Sequence, residues 1–323
     1  MIILTGGAGF IGSNILRELN ARGRTNILIV DSMKNSAKYR NLVGLKYRDL
    51  ISRFEFYDRL EMGEWYDVPI EAILHQGACT DTMEYDGERM MNDNYHSSKA
   101  LLEFALAREI KFIYASSAAV YGHASEAVED PKNENPLNIY GYSKLAFDNY
   151  VRQVASDAPG GVVGLRYFNV YGQGEEHKGR MASMVIQFAR QIMETGVAKL
   201  FGEIGSFGPG EQTRDFVYVE DLVKINLHFL ESEPQYGIVN AGSGVRSSWN
   251  QMAKAVIDPL GKGRIDYIPF PESLKDKYQF DTRADLTKLR AMGYSDSMTP
   301  LADGVKSYLG NLDKFEARFK PSF

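Results

Sequence analysis

Short runs of β-branched and aliphatic residues recur along the chain at "MIILTG", "NILIVD", "AILHQGA", "KFIYASS" and "GVVGLRYFN", and most are separated by segments long enough to hold a helix. Near-continuous apolar runs of this length read as strands buried on both faces, so their alternation with helical segments predicts a parallel sheet covered by helices on either side. The best helical pattern lies in "ERMMNDNYHSSKALLEFALAREI", where Met90, Tyr95, Leu101, Leu102, Ala105 and Leu106 supply an apolar stripe. After "RYFNVYG" the pattern changes. Gly and Pro become frequent through "FGEIGSFGPGEQ", and then "DFVYVEDLVKINLHFLE" and "GIVNAG" read as strand or turn, helix and strand again.

The chain is therefore expected to be α/β, with a smaller C-terminal lobe interleaved with the first. Residues 1–170 together with about 215–240 form one part, and 171–214 with 241–323 the other. A length of 323 residues exceeds what one hydrophobic core usually organises.

Composition narrows the function more than the fold. With 44% hydrophobic and 24% charged residues the chain reads as an ordinary soluble globular protein. A net charge of -5 and the lack of any Lys/Arg run give no footprint for nucleic acid or an anionic membrane. Cys79 is the single cysteine, which excludes an internal disulfide and fits a reducing compartment, and the five histidines show no metal-ligand spacing. No leader or bilayer-length apolar run is evident, so the expected location is cytoplasmic.

"MIILTGGAGFIGSNILREL" combines a strand, a glycine cluster and an amphipathic helix expected to begin near Gly12. Gly6, Gly9 and Gly12 fit G-x-x-G-x-x-G, and Gly7, Gly9 and Gly12 fit G-x-G-x-x-G. The chemistry requires a tight turn, backbone close to a pyrophosphate, and near contact of helix and strand, with the helix start favouring the negative charge. This context predicts a dinucleotide on a Rossmann-type, doubly wound parallel sheet. Asp31 closes the second strand at the spacing of a ribose contact, which favours NAD. Lys38, Arg40 and Arg53 follow as cations able to meet a 2'-phosphate. A carboxylate about 4 Å from a phosphate charge costs roughly 4 kcal/mol at an effective dielectric near 20, so NADP requires Asp31 to turn away or to bind the 3'-hydroxyl. Spacing leaves both cofactors open.

Ser116 and Ser117 end a strand, and Tyr140 and Lys144 stand four residues apart in "NIYGYSK", on one face of a helix. A lysine ammonium there, helped by a cationic nicotinamide ring, is expected to lower the phenol pKa toward neutrality. Tyr140 then exchanges a proton with a substrate hydroxyl while Ser117 hydrogen-bonds the same oxygen.

The blocks "TGGAGFIGSN", "QGACTDT", "YASSAAVYG", "YGYSK", "LRYFNVYG", "HKGRMASM", "RDFVYVEDL" and "YIPFPESLKDKYQ" resemble, in order and from Met1 to about Leu309, the extended short-chain dehydrogenase/reductase family and its nucleotide-sugar epimerases. "HKG" followed by "MASM" is similar to the branch acting on an ADP-heptose. The resemblance implies conversion of ADP-D-glycero-D-manno-heptose to its L-glycero epimer by transient oxidation at C6 with tightly bound NADP, for lipopolysaccharide inner-core assembly. It also implies a homo-oligomer, with a pentamer suggested. Tyr140 and Lys178 are implied as the two acid/base groups, with Ser117 assisting and Lys144 holding the cofactor ribose. Gly6, Gly9, Phe10, Ile11, Gly12, Asp31, Ser32, Lys38, Arg53, Gln76, Gly77, Ala78, Cys79, Thr80, Asp93, Lys144, Val170 and Lys178 are implied to line the cofactor. Ser116, Asn169, Arg180, Gln187, Phe201, Gly202, Glu203, Arg214 and Tyr278 are implied to line the ADP-sugar, and no metal is implied. Arg180 stands where the family usually has serine, Gln187 where it has histidine, and Asp93 where asparagine often contacts cofactor.

Two other readings stand beside this one. A UDP-hexose 4-epimerase is a nucleotide-sugar enzyme of the same fold, whereas a 4,6-dehydratase would carry an acid pair where Ala118 and Ala119 stand. A non-catalytic dinucleotide sensor would have no use for Ser117, Tyr140 and Lys144 together.

Overall fold

The computed structural model describes residues 1–124, 127–272 and 278–310; the part of the second lobe expected at 311–323 lies outside the described residues. The first half runs β1 (Ile2–Thr5), α1 (Phe10–Ala21), β2 (Ile27–Asp31), β3 (Asp49–Ser52), α2 (Arg53–Glu61), β4 (Ala72–His75), α3 (Gly87–Met91), α4 (Ser97–Ala107), β5 (Lys111–Ser117), α5 (Ile139–Val154) and β6 (Val162–Tyr167). It continues through β7 (Asn169–Tyr171), α6 (Met184–Thr195), β8 (Val197–Phe201), β9 (Thr213–Arg214), β10 (Phe216–Tyr218), α7 (Val219–Glu231) and β11 (Tyr236–Ala241). The last elements are β12 (Ser247–Ser248), α8 (Trp249–Leu260), β13 (Arg264–Ile268), α9 (Thr287–Ala291) and α10 (Leu301–Leu309).

Among the described residues a seven-stranded sheet has the order β11-β6-β5-β4-β1-β2-β3, and all its pairings are parallel. Alternation along each strand assigns the two faces. Ile2 and Leu4 pack with Ile15, Leu16 and Leu222 from α1 and α7, whereas Ile3 packs with Leu101, Leu102, Phe147 and Val151 from α4 and α5. This is a doubly wound, Rossmann-type α/β fold. The strand order reverses between β1 and β4, so their carboxyl ends open the crevice in which such sheets hold ligands.

β11 returns to the sheet edge beside β6, pairing Tyr236 with Val162 through Ala241 with Tyr167. A further apolar cluster joins Val185 and Phe188 of α6, Leu200 of β8, Met252 and Val256 of α8, and Val305 of α10. No helix among the described residues is long and apolar enough to cross a membrane.

Two local expectations are corrected. Helix α1 begins at Phe10 rather than near Gly12. The long helix expected from Glu88 onward is broken by a π-turn at Asn92–His96. A π-turn inserts one residue into the helical repeat and rotates the face that follows, so Asn94 turns inward while Tyr95 is only part-buried. The Asn94 amide donates to Cys79 O and to Ser143 Oγ, both at 3.0 Å, and its Oδ1 accepts the Cys79 N–H at 2.7 Å. A polar bracket thus joins the loop after β4 to the helix carrying Tyr140 and Lys144.

Candidate active site

The β1–α1 turn is built at distances that only glycine permits. Gly6 has φ +67°, and a Cβ on it would lie 2.7 Å from Gly77 N; a Cβ on Gly12 would lie 2.2 Å from Gly6 O. Gly9 occupies the N-cap of α1 and no side chain caps the first turn, so the helix start faces the crevice bare. A cavity of about 370 Å³ follows this loop, lined by Gly6, Gly9, Phe10, Ile11, Gly12, Asp31, Lys38, Lys178 and the run Gln76, Gly77, Ala78, Cys79 and Thr80. An uncapped helix start behind a wall without Cβ atoms fits the pyrophosphate of a dinucleotide.

Buried Asp31 organises the far end of this cavity. Its Oδ2 accepts the Ala8 N–H at 2.8 Å, and its Oδ1 accepts the Ser32 N–H at 2.6 Å and the Lys38 ammonium at 2.7 Å. Arg53 pairs with Asp93 at 2.7 Å and lies over the Phe54 ring. Ser32, Arg53 and Asp93 do not line the cavity, and Asp93 holds the Arg53 guanidinium.

Beneath the loop after β4 lies a closed polar relay. Ser98 Oγ donates to Asn94 O at 2.5 Å, so His75 Nε2 donates to Ser98 Oγ at 2.8 Å. That leaves His75 Nδ1 to accept from Thr5 Oγ1 at 2.7 Å, and Thr5 Oγ1 accepts the Gly77 N–H at 3.0 Å. Burial pushes the His75 imidazole down to about 3, helped by the field of Lys144.

A second cavity, of about 360 Å³, contains Ser116, Ser117, Tyr140, Lys144, Asn169, Val170 and Lys178 in its walls. Phe10, Ile11, Gln76, Ala78, Thr80, Lys178 and Met181 line both cavities, which makes them one continuous cleft. Helix α5 presents Tyr140 and Lys144 one turn apart, and its Asn138 cap accepts the Gly141 N–H at 2.8 Å. The Lys144 ammonium donates to Ala115 O at 2.8 Å. Burial pushes Lys144 down to about 8, with Asp148 drawing it back up.

The expected lowering of the Tyr140 phenol is not produced by the protein's own groups. Burial pushes it above its ordinary value, while Ser117 pulls the other way. Desolvation of the phenolate dominates.

Lys178 comes from a short 3₁₀ stretch, Glu176–Met181, and its ammonium lies over the Phe10 ring at 5.5 Å from the centroid. Burial lowers its pKa and the field of Glu175 opposes that. The remaining residues expected at an ADP-sugar do not themselves line the two cavities, but Arg180 and Arg214 lie against residues that do. Arg180 is exposed and pairs with Asp81 at 2.8 Å. Gln187 braces the same loop by donating to Arg180 O at 3.1 Å. Arg214 is buried between Trp249 and Tyr278, with its guanidinium 4.6 Å from the Tyr278 ring centroid, and Trp249 itself lines the cleft. Phe201 contacts the Tyr278 and Phe270 rings, and Gly202 and Glu203 line a separate hollow with Phe207 and Phe280.

Sequence reasoning missed the apolar wall formed by Met181, Phe216, Trp249 and Met252. Such residues carry no signal separating a cleft from a core. It also missed Asn94 and Asp148; for Asp148 the four-residue spacing from Lys144 was an available signal.

Residues 2–242 match the NAD dependent epimerase/dehydratase family. The chain is 50% identical over 309 residues to the ADP-L-glycero-D-manno-heptose-6-epimerase of Alkalilimnicola ehrlichii, covering 96% of each protein. It superposes on the crystal structure of Helicobacter pylori ADP-L-glycero-D-manno-heptose-6-epimerase with a TM-score of 0.84 at 32% identity, covering 97% of this chain and 96% of that one. The Thermotoga maritima UDP-glucose 4-epimerase, solved with UDP-glucose, is more distant at 27% identity and a TM-score of 0.80, covering 98% of this chain and 99% of that one. Fold, glycine cradle and extended likeness agree, and the chain belongs to the NAD dependent epimerase/dehydratase family.

Proposed function

We propose that this chain converts ADP-D-glycero-D-manno-heptose to ADP-L-glycero-D-manno-heptose by transient oxidation at C6, with NADP as the resident cofactor. The observation carrying this reading is that Tyr140 and Lys178 line one cavity from separate elements, α5 and the 3₁₀ stretch, while Lys178 also lines the cavity beside the glycine loop. The 50% identity to a protein named for this activity favours the ADP-heptose over a UDP-hexose.

Inverting a carbinol carbon requires hydride to leave one face and return to the other after the carbonyl intermediate has turned. A bound nicotinamide dinucleotide supplies the hydride acceptor and then the donor. The oxygen occupies a different place in each half-reaction, so two proton carriers are needed where one would be out of reach. Tyr140, with Ser117 hydrogen-bonding the same oxygen, serves one orientation, and Lys178 serves the other. Burial suits Lys178 to this task, because a lysine whose ammonium is destabilised gives up its proton more readily.

In this reading Lys144 holds the cofactor ribose, and Lys38, in the cavity wall, provides the positive charge that a 2'-phosphate needs, with Arg53 joining it by exchanging Asp93 for the phosphate. Residues 1–170 with about 215–240 carry the cofactor. Residues 171–214 and 241–323 carry the ADP-sugar, with Asn169, Arg180, Gln187, Phe201 to Glu203, Arg214 and Tyr278 as its contacts. The product serves inner-core lipopolysaccharide assembly.

The test is to incubate purified protein with ADP-D-glycero-D-manno-heptose, identify the product by NMR, and identify the dinucleotide released on denaturation. Conversion at C6 with NADP released is expected. No turnover of the ADP-heptose, with interconversion of UDP-glucose and UDP-galactose instead, would overturn the substrate assignment.

A further inference from the structure

The strand of chain leading to Lys178 is held by amide side chains that also hold the glycine loop. Asn41 ends a 3₁₀ stretch at Ser36–Asn41, shortly after Asp31. Its Nδ2 donates to Ala8 O at 3.1 Å and to Gly174 O at 3.0 Å, with His177 Nδ1 3.4 Å away. The peptide of Ala8 is thereby gripped at both ends, its N–H by Asp31 and its carbonyl side by Asn41. Two further amides act beside it. Asn14 donates to Gln173 O at 2.8 Å and Asn35 donates to His177 O at 2.9 Å.

The seat for this contact is itself specific. Gly174 has φ +92°, and a Cβ there would come within 3.4 Å of Asn14 Nδ2 and 3.6 Å of Asn41 Oδ1. Left-handed backbone without a side chain lets both amides reach consecutive carbonyls. On its other side the strap is folded by buried Glu175, which accepts from Ser183 Oγ at 2.7 Å and from the Gly172 N–H at 3.3 Å.

We propose that Asn41 is a positioning residue for Lys178: its amide joins the cofactor-side glycine loop at Ala8 to the strap at Gly174, so the seat of the dinucleotide and the Lys178 ammonium are set by one bracket. This rests on the reading of Lys178 as a proton carrier. The geometric tolerance of such a group is narrow, and a misplacement of about 1 Å costs on the order of 10²-fold in rate. Asn41 touches none of the reacting atoms, so its effect is transmitted through Lys178.

The test compares holoenzyme carrying Asn41→Ala, Asn41→Asp, Lys178→Met and both Asn41/Lys178 double substitutions, assayed for ADP-heptose epimerisation both without and with NADP added in excess. Asn41→Asp keeps the shape of the side chain while placing a carboxylate against two carbonyls, so it reports even where Asn41→Ala fails to fold. The expected result is a fall in kcat of about 10- to 100-fold for each Asn41 variant, with KM within about threefold of wild type and bound cofactor unchanged. Each double variant should be no slower than Lys178→Met alone within about twofold, because with bound cofactor unchanged the only arm of the bracket that still matters to the rate, the one at Gly174, has lost the ammonium it positions. Losses that multiply in the double variants, wild-type rates in both Asn41 variants, or activity restored by excess NADP would each overturn the proposal. Wild-type turnover by Lys178→Met alone would remove the two-carrier reading and the proposal with it, and that outcome is recognisable without any Asn41 variant.

Discussion

The Arg166 guanidinium meets the Asp148 carboxylate at 2.8 Å, and neither side chain is exposed to solvent. Asp148 also accepts from Tyr114 OH at 2.9 Å and from Ser116 Oγ at 3.0 Å. It stands on α5 one turn beyond Lys144, so the ion pair ties the helix carrying Tyr140 and Lys144 to β5 and β6. Glu134 pairs with both Arg166 and Arg152, leaving the cluster balanced in charge. Asp148→Asn strips Arg166 of its fully buried partner, and breaking such a pair costs about 3–5 kcal/mol. Urea unfolding should show a midpoint lowered accordingly, and an unchanged midpoint would refute a supporting role for the pair.

Tyr140→Phe and Lys178→Met should each slow epimerisation by about 10²-fold or more, the usual range for an acid/base group. Binding should suffer less, because neither change removes the walls of the cleft. Steady-state kcat measured from each epimer separately, together with near-ultraviolet absorbance of reduced nicotinamide, checks this. Retention of wild-type kcat by either variant would eliminate that residue as a carrier.

His75 is held neutral by burial, with a pKa near 3 against an ordinary value of 6.5. Between those limits the unfolded chain binds a proton that the folded chain refuses, so stability rises with pH across this window. The contribution is complete above pH 6.5 and is lost as pH falls toward about 3. His75→Gln keeps a donor and an acceptor for Ser98 and Thr5 but does not titrate. Its unfolding free energy should therefore fall less steeply than wild type on acidification, and parallel curves for the two proteins would contradict the assignment.

What could be read from sequence was local. The glycine cluster occupies one turn, and Tyr140 and Lys144 share a helix face by spacing alone, so both survive as neighbours of the cleft. Asp31 also sits where the second strand was expected to end. What escaped depends on chain crossings or helix irregularity. The π-turn at Asn92–His96 defeats any count based on regular spacing, and it buries Asn94 beside a Tyr95 that still packs, part-buried, against the core. Asp148 and Arg166 meet only because α5 packs beside β5 and β6, and Trp249 reads as core until α8 places it against the cleft. Arg180 pairs across the chain with Asp81, a residue of the wall beside the glycine loop, a meeting that its place in the sequence does not reveal.

The 2.7 Å pair between Lys38 and Asp31 offers a test of the proposed NADP preference. Asp31 is buried and accepts from Ala8 and Ser32, so it stays in place whichever dinucleotide binds. With Lys38 present its charge is offset; in Lys38→Gln the carboxylate is left without its cation at the end of the cavity proposed to take the adenosine ribose. Like charges about 4 Å apart repel by roughly 4 kcal/mol at an effective dielectric near 20, so a 2'-phosphate pays the larger penalty. Calorimetric titration of cofactor-free protein should show NADP affinity falling by about 10³-fold, while NAD, which places a neutral hydroxyl there, changes by less than about threefold. The NADP loss should shrink only modestly as salt rises, because Asp31 is buried and Lys38 mostly so, and ions screen such a pair weakly. Equal losses for the two dinucleotides would show that Lys38 braces Asp31 without reading the phosphate.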